Sequence, residues 1–373
     1  MTRSIVLLGG GRDSLGIIIR ANEMGLRTVV VDNDPNAPGF AMADEKVMAS
    51  CYDVNETLDR LRMITPPRAV LCAGTDSPHV MAAVAHVFRI VGPTKKTGEL
   101  SRDKLRQHAT LEVAGIRVPR LTWYKDEAGM GGHVDTPAGW RIMKPADSRG
   151  GRGVSRYWSE DDGARQNAYR LAKAASQTER VLEQEWIDGI QLSTESLVQG
   201  GRILWTSYAE RNYSRLEELA PHVIEDGSDM PPEILSNDEN DYEVKTNAAL
   251  QACVEALGLT DGTLKGDIVW TGNEAVVIEV ATRLSGGLFC SDMTPMCWGV
   301  DFVGMAIRIV LGETIYPGEI RPYLRGHVCQ RFHFPPGKQI ACHPDRGPSV
   351  ITRGRTREEA RERAREELEA LLP

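Results

Sequence analysis

The feature of this sequence that most restricts its fold is a pair of apolar β-type segments joined by a four-residue turn. The first segment, residues 265–270, carries Asp267, and the second, residues 275–281, carries Glu279. The turn between them, Thr271-Gly272-Asn273-Glu274, is typical of a hairpin. Because the two acids lie at similar distances from the turn, an antiparallel hairpin would place them opposite one another.

Two carboxylates held this close repel each other, and a divalent cation would offset the repulsion. Mg²⁺ with a nucleotide fits such a pair best. The alternative is that Asp267 and Glu279 are solvated acids on an exposed strand face, which is the commoner situation for two acids chosen at random. The apolar residues that flank each acid argue against an exposed face.

A lysine beside a glycine-rich loop forms a second candidate site. Residues 140–145 read as a short apolar strand that contains Lys144 and leads into a loop with three glycines and two arginines. Glycines let backbone N–H groups approach an anion, and the lysine ammonium adds a point charge for phosphate. The loop lacks the G-x-x-x-x-G-K-[ST] pattern of a Walker loop. A plain β-turn is the alternative, but the clustered cations favour phosphate binding.

A third segment, residues 180–189, is an apolar strand that ends in Gln184-Glu185-Trp186-Ile187 before a glycine. Taken in order, Lys104, Lys144 with its loop, this segment, Asp267 and residues 279–283 resemble the ATP-grasp superfamily in its carboxylate–amine ligase type, like biotin carboxylase and carbamoyl phosphate synthase. The resemblance covers about residues 1–337, most of the chain.

The resemblance implies an α/β protein with the ATP-grasp fold. It assigns residues 1–100 to a Rossmann-like pre-ATP-grasp domain and residues 101–330 to the ATP-grasp domain. Within the latter, residues 118–187 would form a small α/β lid and residues 188–330 an α+β catalytic core. Residues 331–373 would be a C-terminal strand and helix extension.

The resemblance also implies roles for single residues. Lys104 and Lys144 would contact the ATP phosphates, Asp267 and Glu279 would hold Mg²⁺, and Arg283 would act with Lys144 in catalysis by stabilising the transferred phosphate. The loop over the phosphates would use Ser148, Gly150, Gly151, Gly153 and Val154. The hinge against adenine would consist of Gln184, Glu185, Trp186 and Ile187, with the Glu185 carbonyl accepting a hydrogen bond from the base and the Ile187 N–H donating one.

Two positions depart from the family pattern. The first metal acid is commonly glutamate but is Asp267 here, and the position commonly filled by a metal-binding asparagine is Ala281. The second change leaves the number of magnesium ions open, since water could replace the missing ligand.

The same resemblance implies substrate contacts at Glu195, Arg211 and Glu225. Separately, the glycine turn of Ser285, Gly286 and Gly287 offers backbone N–H groups that could bind a substrate carboxylate. For Glu195, a solvated strand face is equally open. For the glycine stretch at 285–287, a plain strand-to-helix turn is equally open. Residues 213–241 are acidic and rich in turn residues, which is typical of either a functional loop or a disordered one.

The N-terminal region alternates as a βαβ unit, with strands predicted at 4–8, 28–32 and 69–74 and a helix at 15–24. A parallel sheet with helices on both faces follows. Gly9-Gly10-Gly11 and Asp32 also suggest a dinucleotide site, although Ser14 stands where the third glycine of G-x-G-x-x-G belongs. An NAD-dependent oxidoreductase is therefore kept as an alternative of another class.

Three further helices are predicted. Ser101 would cap a helix over 102–114 and so place Lys104 in its first turn, where a helix N-terminus favours phosphate. Residues 299–312 would form an apolar core helix, and residues 356–372 a charged helix after a strand at 349–354. His327, His333 and His343 lack metal-ligand spacing and are interpreted as structural.

Composition narrows the class of protein. The 373 residues, 41% of them hydrophobic, are enough for two or three domains. A net charge of −8 with scattered arginines argues against a nucleic acid partner. The lack of a long apolar run and of a signal-like start predicts a cytoplasmic protein without membrane association. Seven cysteines without a C-x-x-C pair predict reduced thiols, and a homodimer is the default oligomer.

The predicted reaction is ATP-dependent ligation of a small-molecule carboxylate to an amine through an acyl phosphate, giving an amide, ADP and phosphate. Positioning and charge neutralisation would supply most of the acceleration. ATP-grasp carboxylation or carbamoyl phosphate formation is an alternative, although the chain has no biotin-accepting Met-Lys-Met module. A nucleotide-binding regulator without turnover is another, which Ala281 keeps open.

Overall fold

The computed structural model of the chain describes residues 3–64, 66–131, 137–236 and 241–371. Three β-sheets organise these residues: a parallel four-stranded sheet, an antiparallel four-stranded sheet and an antiparallel seven-stranded sheet, in that order along the chain. The strands and helices are named below in chain order.

The first sheet has the order β3-β2-β1-β4, with β1 Ser4–Leu8, β2 Arg27–Asp32, β3 Glu45–Met48 and β4 Ala69–Cys72. Alternate residues of its strands enter two different cores: Ile5 and Leu7 pack in one, and Val6 and Leu8 in the other. Because both faces are covered, β1 and β4 are apolar throughout, as is typical of parallel sheets. The covering helices are α1 Leu15–Glu23, α2 Val54–Leu61 and α3 Pro78–Phe88.

Two helices lead out of this sheet, α4 Lys95–Arg102 and α5 Lys104–Val113. The predicted cap was wrong: Ser101 lies inside α4, and Asp103 caps α5 by accepting hydrogen bonds from Leu105 N and Arg106 N, both at 3.1 Å. Asp103 has extended backbone angles, which end α4 and begin α5. Lys104 is thus the first helical residue, in the turn where it was expected.

The second sheet has the order β5-β8-β6-β7, with β5 Leu121–Tyr124, β6 Trp140–Pro145, β7 Ser155–Trp158 and β8 Val181–Glu185. Helix α6, Asp162–Ala175, packs against it. The buried Glu183 carboxylate accepts hydrogen bonds from the hydroxyls of Tyr124 and Tyr157 and from Arg165 at 3.0 Å. These elements make up the region predicted as the small α/β lid, and part of its predicted loop, residues 132–136, lies outside the described residues.

The third sheet has the order β13-β12-β9-β10-β11-β14-β15. Its strands are β9 Ile190–Gln199, β10 Arg202–Asn212, β11 Gly227–Met230, β12 Gly262–Trp270, β13 Ala275–Ala281, β14 His327–Phe332 and β15 Ser349–Gly354. The accompanying helices are α7 Tyr242–Leu257, α8 Thr294–Trp298, α9 Phe302–Val310 and α10 Arg357–Ala370. Helix α9 shares one core with β1 and α1, so the first and third sheets are joined by continuous apolar packing.

The structure of the third sheet differs from three of the predictions. Within the stretch 213–241, residues 227–230 form β11 between β10 and β14, because ladder bonds on both sides hold this strand in the sheet. The boundary predicted at 330/331 falls inside β14, and β15 extends the same sheet. The predicted helix at 299–312 is shorter, since Gly299 has a positive φ of 70° and ends α8 before α9 begins.

Two features of composition have structural counterparts. All seven cysteines are free thiols, six of them buried. None of the described helices combines the length and apolar character needed to cross a membrane.

Candidate active site

A cavity of about 930 Å³ lies where the three sheets approach one another. Its walls are the glycine loop between β6 and β7, the exposed side of β12 and β13, and the loops that follow β1 and β4. Among the residues predicted for the site, only Gly153 and Glu195 do not line the cavity. Nearly all the residues that the sequence analysis assigned to the site therefore lie around one cavity.

The two acids of the hairpin meet as predicted. Strands β12 and β13 pair with Asp267 directly opposite Glu279, and the turn is closed by Thr271 N donating to Glu274 O at 3.1 Å. Both oxygens of Asp267 already face cations: Arg211 lies 2.5 Å from Oδ1, and Lys265 Nζ lies 2.7 Å from Oδ2. Asp267 is thus a paired carboxylate on the cavity wall.

Glu279 faces the two lysines. Lys104 Nζ lies 3.7 Å from Glu279 Oε2 and donates a hydrogen bond to Ser148 O at 2.9 Å. Burial raises the pKa of Glu279, but Lys104 and Lys144 lower it more strongly, so the pKa falls well below its usual range. Burial lowers the pKa of Lys104, but the Glu279 charge raises it, and the net pKa is raised. This carboxylate and this ammonium are therefore both charged.

Lys144 is buried at the end of β6, and its pKa is lowered to about 8. Burial is the main cause, the charge of Lys104 adds to it, and Glu279 and Asp267 oppose it. A further negative charge beside these lysines would raise the pKa of Lys144 toward its ordinary value. The site is consequently short of negative charge, as expected where a polyanion binds.

The glycine loop has the backbone of an anion-binding turn. Gly150, Gly151 and Gly153 have φ of 63°, 70° and 71°, a region that glycine adopts without strain. The loop is held from outside, since His343 N donates to Gly150 O at 2.9 Å and a Cβ at Gly151 would meet the His343 ring at 3.2 Å. Gly153 faces α6 rather than the cavity, because a Cβ there would meet Ala175 at 2.7 Å. Its predicted contact with phosphate, through the backbone N–H, stays a prediction.

The predicted hinge is fixed by its neighbours in the lid sheet. Glu185 N donates to Arg120 O at 3.1 Å, and Trp186 N donates to Trp140 O at 3.2 Å. The Glu185 side chain accepts a hydrogen bond from Arg120 N at 2.8 Å, which turns it toward the protein. Gln184 and Ile187 line the same wall. The adenine contacts of the Glu185 carbonyl and the Ile187 N–H stay predictions.

Arg283 joins the third sheet to the first. Its Nε donates to Asp76 Oδ1 at 3.2 Å, and Leu284 exchanges backbone hydrogen bonds with Cys72 O at 3.1 Å and Gly74 N at 3.2 Å. Asp13 Oδ1 accepts a hydrogen bond from Gly287 N at 2.9 Å. The sequence reading missed Asp13 and Asp76, although both follow carboxyl ends of parallel strands, where ligand sites of such sheets lie.

Glu195 is not a cavity residue. It is fully buried in β9, and its Oε1 accepts a hydrogen bond from Ser285 N at 2.7 Å. Burial raises its pKa to about 7. Both expectations for Glu195, substrate contact and a solvated face, were wrong because β9 is a central strand covered on both faces. Glu195 already accepts the hydrogen bond from Ser285 N, and Asp13 accepts the one from Gly287 N. These two N–H groups are therefore not free for a substrate carboxylate.

Arg211 and Glu225 belong to a network below the glycine loop. Arg211 lies 3.7 Å from Glu225, and His343 Nε2 and Arg346 lie 3.1 Å and 3.0 Å from the same carboxylate. Burial raises the pKa of Glu225, but His343 and Arg211 outweigh it and hold the pKa well below its usual range. His343 was interpreted as structural, and it was missed because its partners are distant in sequence.

The glycine turn after β1 is already occupied by the protein. Asp32 accepts hydrogen bonds from Gly10 N at 2.7 Å and Asp34 N at 2.9 Å, and Gly39 N donates to Gly10 O at 2.7 Å. The acid that would hold a ribose in a dinucleotide site is therefore paired with its own backbone. This geometry disfavours the oxidoreductase alternative.

Residues 101–287 match the ATP-grasp domain family. The matched region is half of the chain and contains the lysines, the glycine loop, the hinge, the paired acids and Arg283. The chain therefore belongs to the ATP-grasp family, and the predicted superfamily is confirmed.

Two curated relatives are similar over part of their length. The uncharacterized protein y4rH of Sinorhizobium fredii is 26% identical over 324 residues, which cover 84% of this chain and 64% of the relative. The formate-dependent phosphoribosylglycinamide formyltransferase of Synechococcus sp. (strain CC9605) is 26% identical over 188 residues, which cover 50% of this chain and 47% of the relative. The chain thus spans less than two thirds of either relative.

Two solved structures share the fold. An ADP complex of purK, N5-carboxyaminoimidazole ribonucleotide synthetase, has a TM-score of 0.77 at 18% identity and covers 98% of this chain and 96% of that one. The L-amino acid ligase from Bacillus licheniformis has a TM-score of 0.70 at 19% identity and covers 90% and 80%. The predicted α/β ATP-grasp fold is confirmed.

Proposed function

We propose that the chain is an ATP-dependent carboxylate–amine ligase that forms an amide, peptide-like bond through an acyl phosphate and releases ADP and phosphate. The observation that carries the proposal is the charge arrangement of the cavity. Two opposed carboxylates, Asp267 and Glu279, lie among five cations: Lys104, Lys144, Lys265, Arg211 and Arg283. Arg283 and Arg211 are also paired with Asp76 and Glu225, but the cavity is lined by nine lysines and arginines against six aspartates and glutamates, and a triphosphate would offset this excess of positive charge.

The residues present fit ATP with Mg²⁺. Magnesium prefers carboxylate oxygens, keeps several waters and completes its shell with substrate phosphates. Glu279 keeps about a third of its side chain, 31%, exposed, and Asp267 has lone pairs beyond those that its two cations use. These two acids would hold the ion, which would neutralise phosphate charge when bound. In the described part of the chain no group of three metal-binding side chains occurs, so phosphate oxygens would supply the remaining ligands.

The first chemical step is attack of a substrate carboxylate oxygen on the γ-phosphorus. The bond from that phosphorus to the β–γ bridging oxygen breaks, and ADP leaves with the electron pair. Lys104 and Lys144 hold the phosphates, and Arg283 stabilises the charge on the transferred phosphoryl group through its planar guanidinium. No separate acid or base is needed in this step, because the nucleophile is already an anion.

The second step is attack of an amine on the acyl carbon. The C–N bond forms, the C–O bond to phosphate breaks, and inorganic phosphate leaves while the amine loses a proton to solvent or to phosphate. The glycine loop and the residues that cover it exclude water, which protects the acyl phosphate from hydrolysis. The loops carrying Asp13 and Asp76 also line the cavity, next to Arg283, and would contact the acceptor.

The names of the similar proteins support a reaction of this type. The family supports ATP as the nucleotide, and one solved neighbour is an L-amino acid ligase. The formyltransferase relative and the neighbouring synthetase support ATP-dependent formation of a C–N bond more broadly. A cytoplasmic homodimer stays a prediction.

A second candidate is carboxylation. The purK neighbour is an N5-carboxyaminoimidazole ribonucleotide synthetase, and another neighbour is a biotin carboxylase domain in complex with MgADP and bicarbonate. Bicarbonate would replace the organic acid as the oxygen nucleophile. The two reactions differ in their requirement for bicarbonate, so an assay without bicarbonate distinguishes them.

The test is to incubate the protein with ATP, Mg²⁺ and pools of amino acids and small carboxylates, with and without bicarbonate, and to identify nucleotide products and new masses. Ligation predicts ADP, phosphate and a condensed product. A carboxylate labelled with ¹⁸O should pass one labelled oxygen to the released phosphate, which reports the acyl phosphate.

The control is Glu279→Gln, which removes a charge from the metal site at nearly constant size and should abolish turnover. Release of AMP instead of ADP would show that the substrate carboxylate is adenylated rather than phosphorylated, which would contradict the proposed reaction. A strict need for bicarbonate would favour carboxylation. ATP binding without turnover over all pools would support the regulator alternative.

A further inference from the structure

Lys265 is one of the five cations around the paired acids and lines the cavity beside Asp267. It precedes Asp267 by two residues on β12, so both side chains lie on the same face of the sheet. Its neighbours in the adjacent strands are Glu195 on β9 and Ala281 on β13. The next row of the same face holds Ser193, Asp267 and Glu279.

The ammonium is tightly placed. Lys265 is 9% exposed, and its Nζ lies 2.7 Å from Asp267 Oδ2. Its charge lowers the pKa of both Glu195 and Glu279. Lys265 therefore lies close to three acidic side chains, those of Asp267, Glu195 and Glu279. Ala281, on its other side, offers no side-chain oxygen or nitrogen.

We propose that Lys265 is a built-in cation that takes the place of a second metal ion, so that the site binds a single Mg²⁺ with ATP. The inference rests on the proposed function, because it concerns how that site holds magnesium and phosphate.

The physical reason is competition for one side of Asp267. A magnesium ion on Oδ2 would lie at about 2.1 Å from that oxygen, and the Lys265 ammonium already lies 2.7 Å from it. Two cations on the same side of one carboxylate oxygen repel each other at short range. Oδ1 of Asp267 lies 2.5 Å from Arg211. The single ion would therefore be held mainly by Glu279, whose side chain is 31% exposed, with phosphate oxygens and a remaining lone pair of Asp267 completing its shell.

The test counts metal ions bound per nucleotide. The protein is saturated with adenylyl-imidodiphosphate and titrated with Mn²⁺, with free Mn²⁺ read by electron paramagnetic resonance and nucleotide binding measured separately by calorimetry. We expect one Mn²⁺ per bound nucleotide in the wild type. Lys265→Met keeps the length and packing but removes the charge, and it should bind two. Lys265→Arg should bind one.

The controls keep the test decisive if Lys265→Met does not fold. Lys245→Met, which alters an exposed lysine on α7, should leave the count at one. Ala281→Asn restores a donor oxygen while Lys265 is present, and its count should also stay at one.

Two ions in the wild type or in Ala281→Asn would overturn the inference, and so would a single ion in folded Lys265→Met. Failure of the wild type to bind the nucleotide would instead overturn the proposed function.

Discussion

His343 Nε2 lies 3.1 Å from Glu225 Oε2, while the backbone N–H of the same histidine holds the glycine loop at Gly150. Glu225 in turn contacts Arg211, which contacts Asp267. One residue from the C-terminal part of the chain thus touches both the glycine loop and the network behind the paired acids. The position of the loop and the position of Asp267 are therefore linked through His343.

His343→Ala keeps the backbone N–H that holds Gly150 but removes the ring, which lies beside Gly151 and contacts Glu225, so the loop should be held less firmly. Loss of one side-chain contact with a charged group is worth about 1.5–3 kcal/mol, and part of it would appear as a rise of about 5- to 20-fold in KM for ATP with a smaller change in kcat. Steady-state kinetics would measure both. His343→Gln, which keeps a donor, should recover part of the affinity, and His86→Ala, on an exposed face of α3, should have no effect. An unchanged KM would show that the contact does not position the loop.

ATP affinity should weaken above about pH 8. The Lys144 pKa of about 8 in the unliganded site is set mainly by burial and Lys104, opposed by Glu279 and Asp267. Bound phosphates raise it toward its ordinary value, so above pH 8 each binding event takes up a proton. Between about pH 8 and 10 the Kd should therefore rise by up to about 10-fold per pH unit.

Calorimetry in buffers of different ionisation enthalpy measures this proton uptake directly. Lys144→Ala should bind ATP about 10- to 100-fold more weakly and lose the uptake. Lys125→Ala, an exposed lysine of the lid, should behave as the wild type. Wild-type affinity in Lys144→Ala would remove this residue from the phosphate site.

Glu195 should make the folded protein sensitive to pH. Its pKa is raised by burial from 4.5 to about 7, so between these values the folded state keeps a proton that the unfolded state has lost. Stability contributed by this group is present below about pH 4.5 and is lost as the pH rises to about 7. Glu195→Gln has no group that titrates at this position, so it does not lose this stability as the pH rises. Its amide oxygen can still accept the hydrogen bond from Ser285 N.

The difference in unfolding free energy between Glu195→Gln and the wild type should thus shift in favour of the variant by about 3 kcal/mol between pH 4.5 and 7. Chemical denaturation at several pH values measures it. Glu366→Gln, on the exposed side of α10, should show a constant difference. A constant difference for Glu195→Gln as well would show that the carboxyl ionises normally in the fold.

Arg283→Lys should separate binding from rate. Lysine keeps the positive charge but cannot present the guanidinium fork to phosphate and Asp76 together. We expect nearly normal ATP affinity and a fall in kcat of about 10²-fold, comparable to loss of one donor that stabilises a transition state. Single-turnover kinetics would locate the change in the chemical step. A normal rate would exclude Arg283 from that step.

The parts of the site that the sequence predicted are those specified locally. The turn at 271–274 was enough to predict the pairing of the two strands and the approach of the two acids. Turn length alone would place Asp267 opposite Ile278, however, and a β-bulge between Asp267 and Ile268 brings Glu279 opposite it. Lys144 and its glycines were likewise adjacent in sequence. The order of these segments along the chain then indicated the family.

The parts that were not predicted depend on contacts between distant segments. Whether Glu195 faces solvent is decided by which strands flank β9 and what covers them, and neither is visible in its alternating pattern. His343 reaches the site only because β14 and β15 return the chain to the sheet. Lys265 could have been found, because its distance of two residues from Asp267 already placed both on one face.

The contacts of Asp13 and Asp76 with Gly287 and Arg283 have an evolutionary consequence. In the proposed function, the short loops after β1 and β4 would contact the acceptor, and residues 101–287 would bind the nucleotide. Sequence changes in those two loops would alter which substrate is ligated but would leave phosphoryl transfer from ATP unaffected. Relatives with the same hairpin acids and different loops would then catalyse one type of reaction on different compounds.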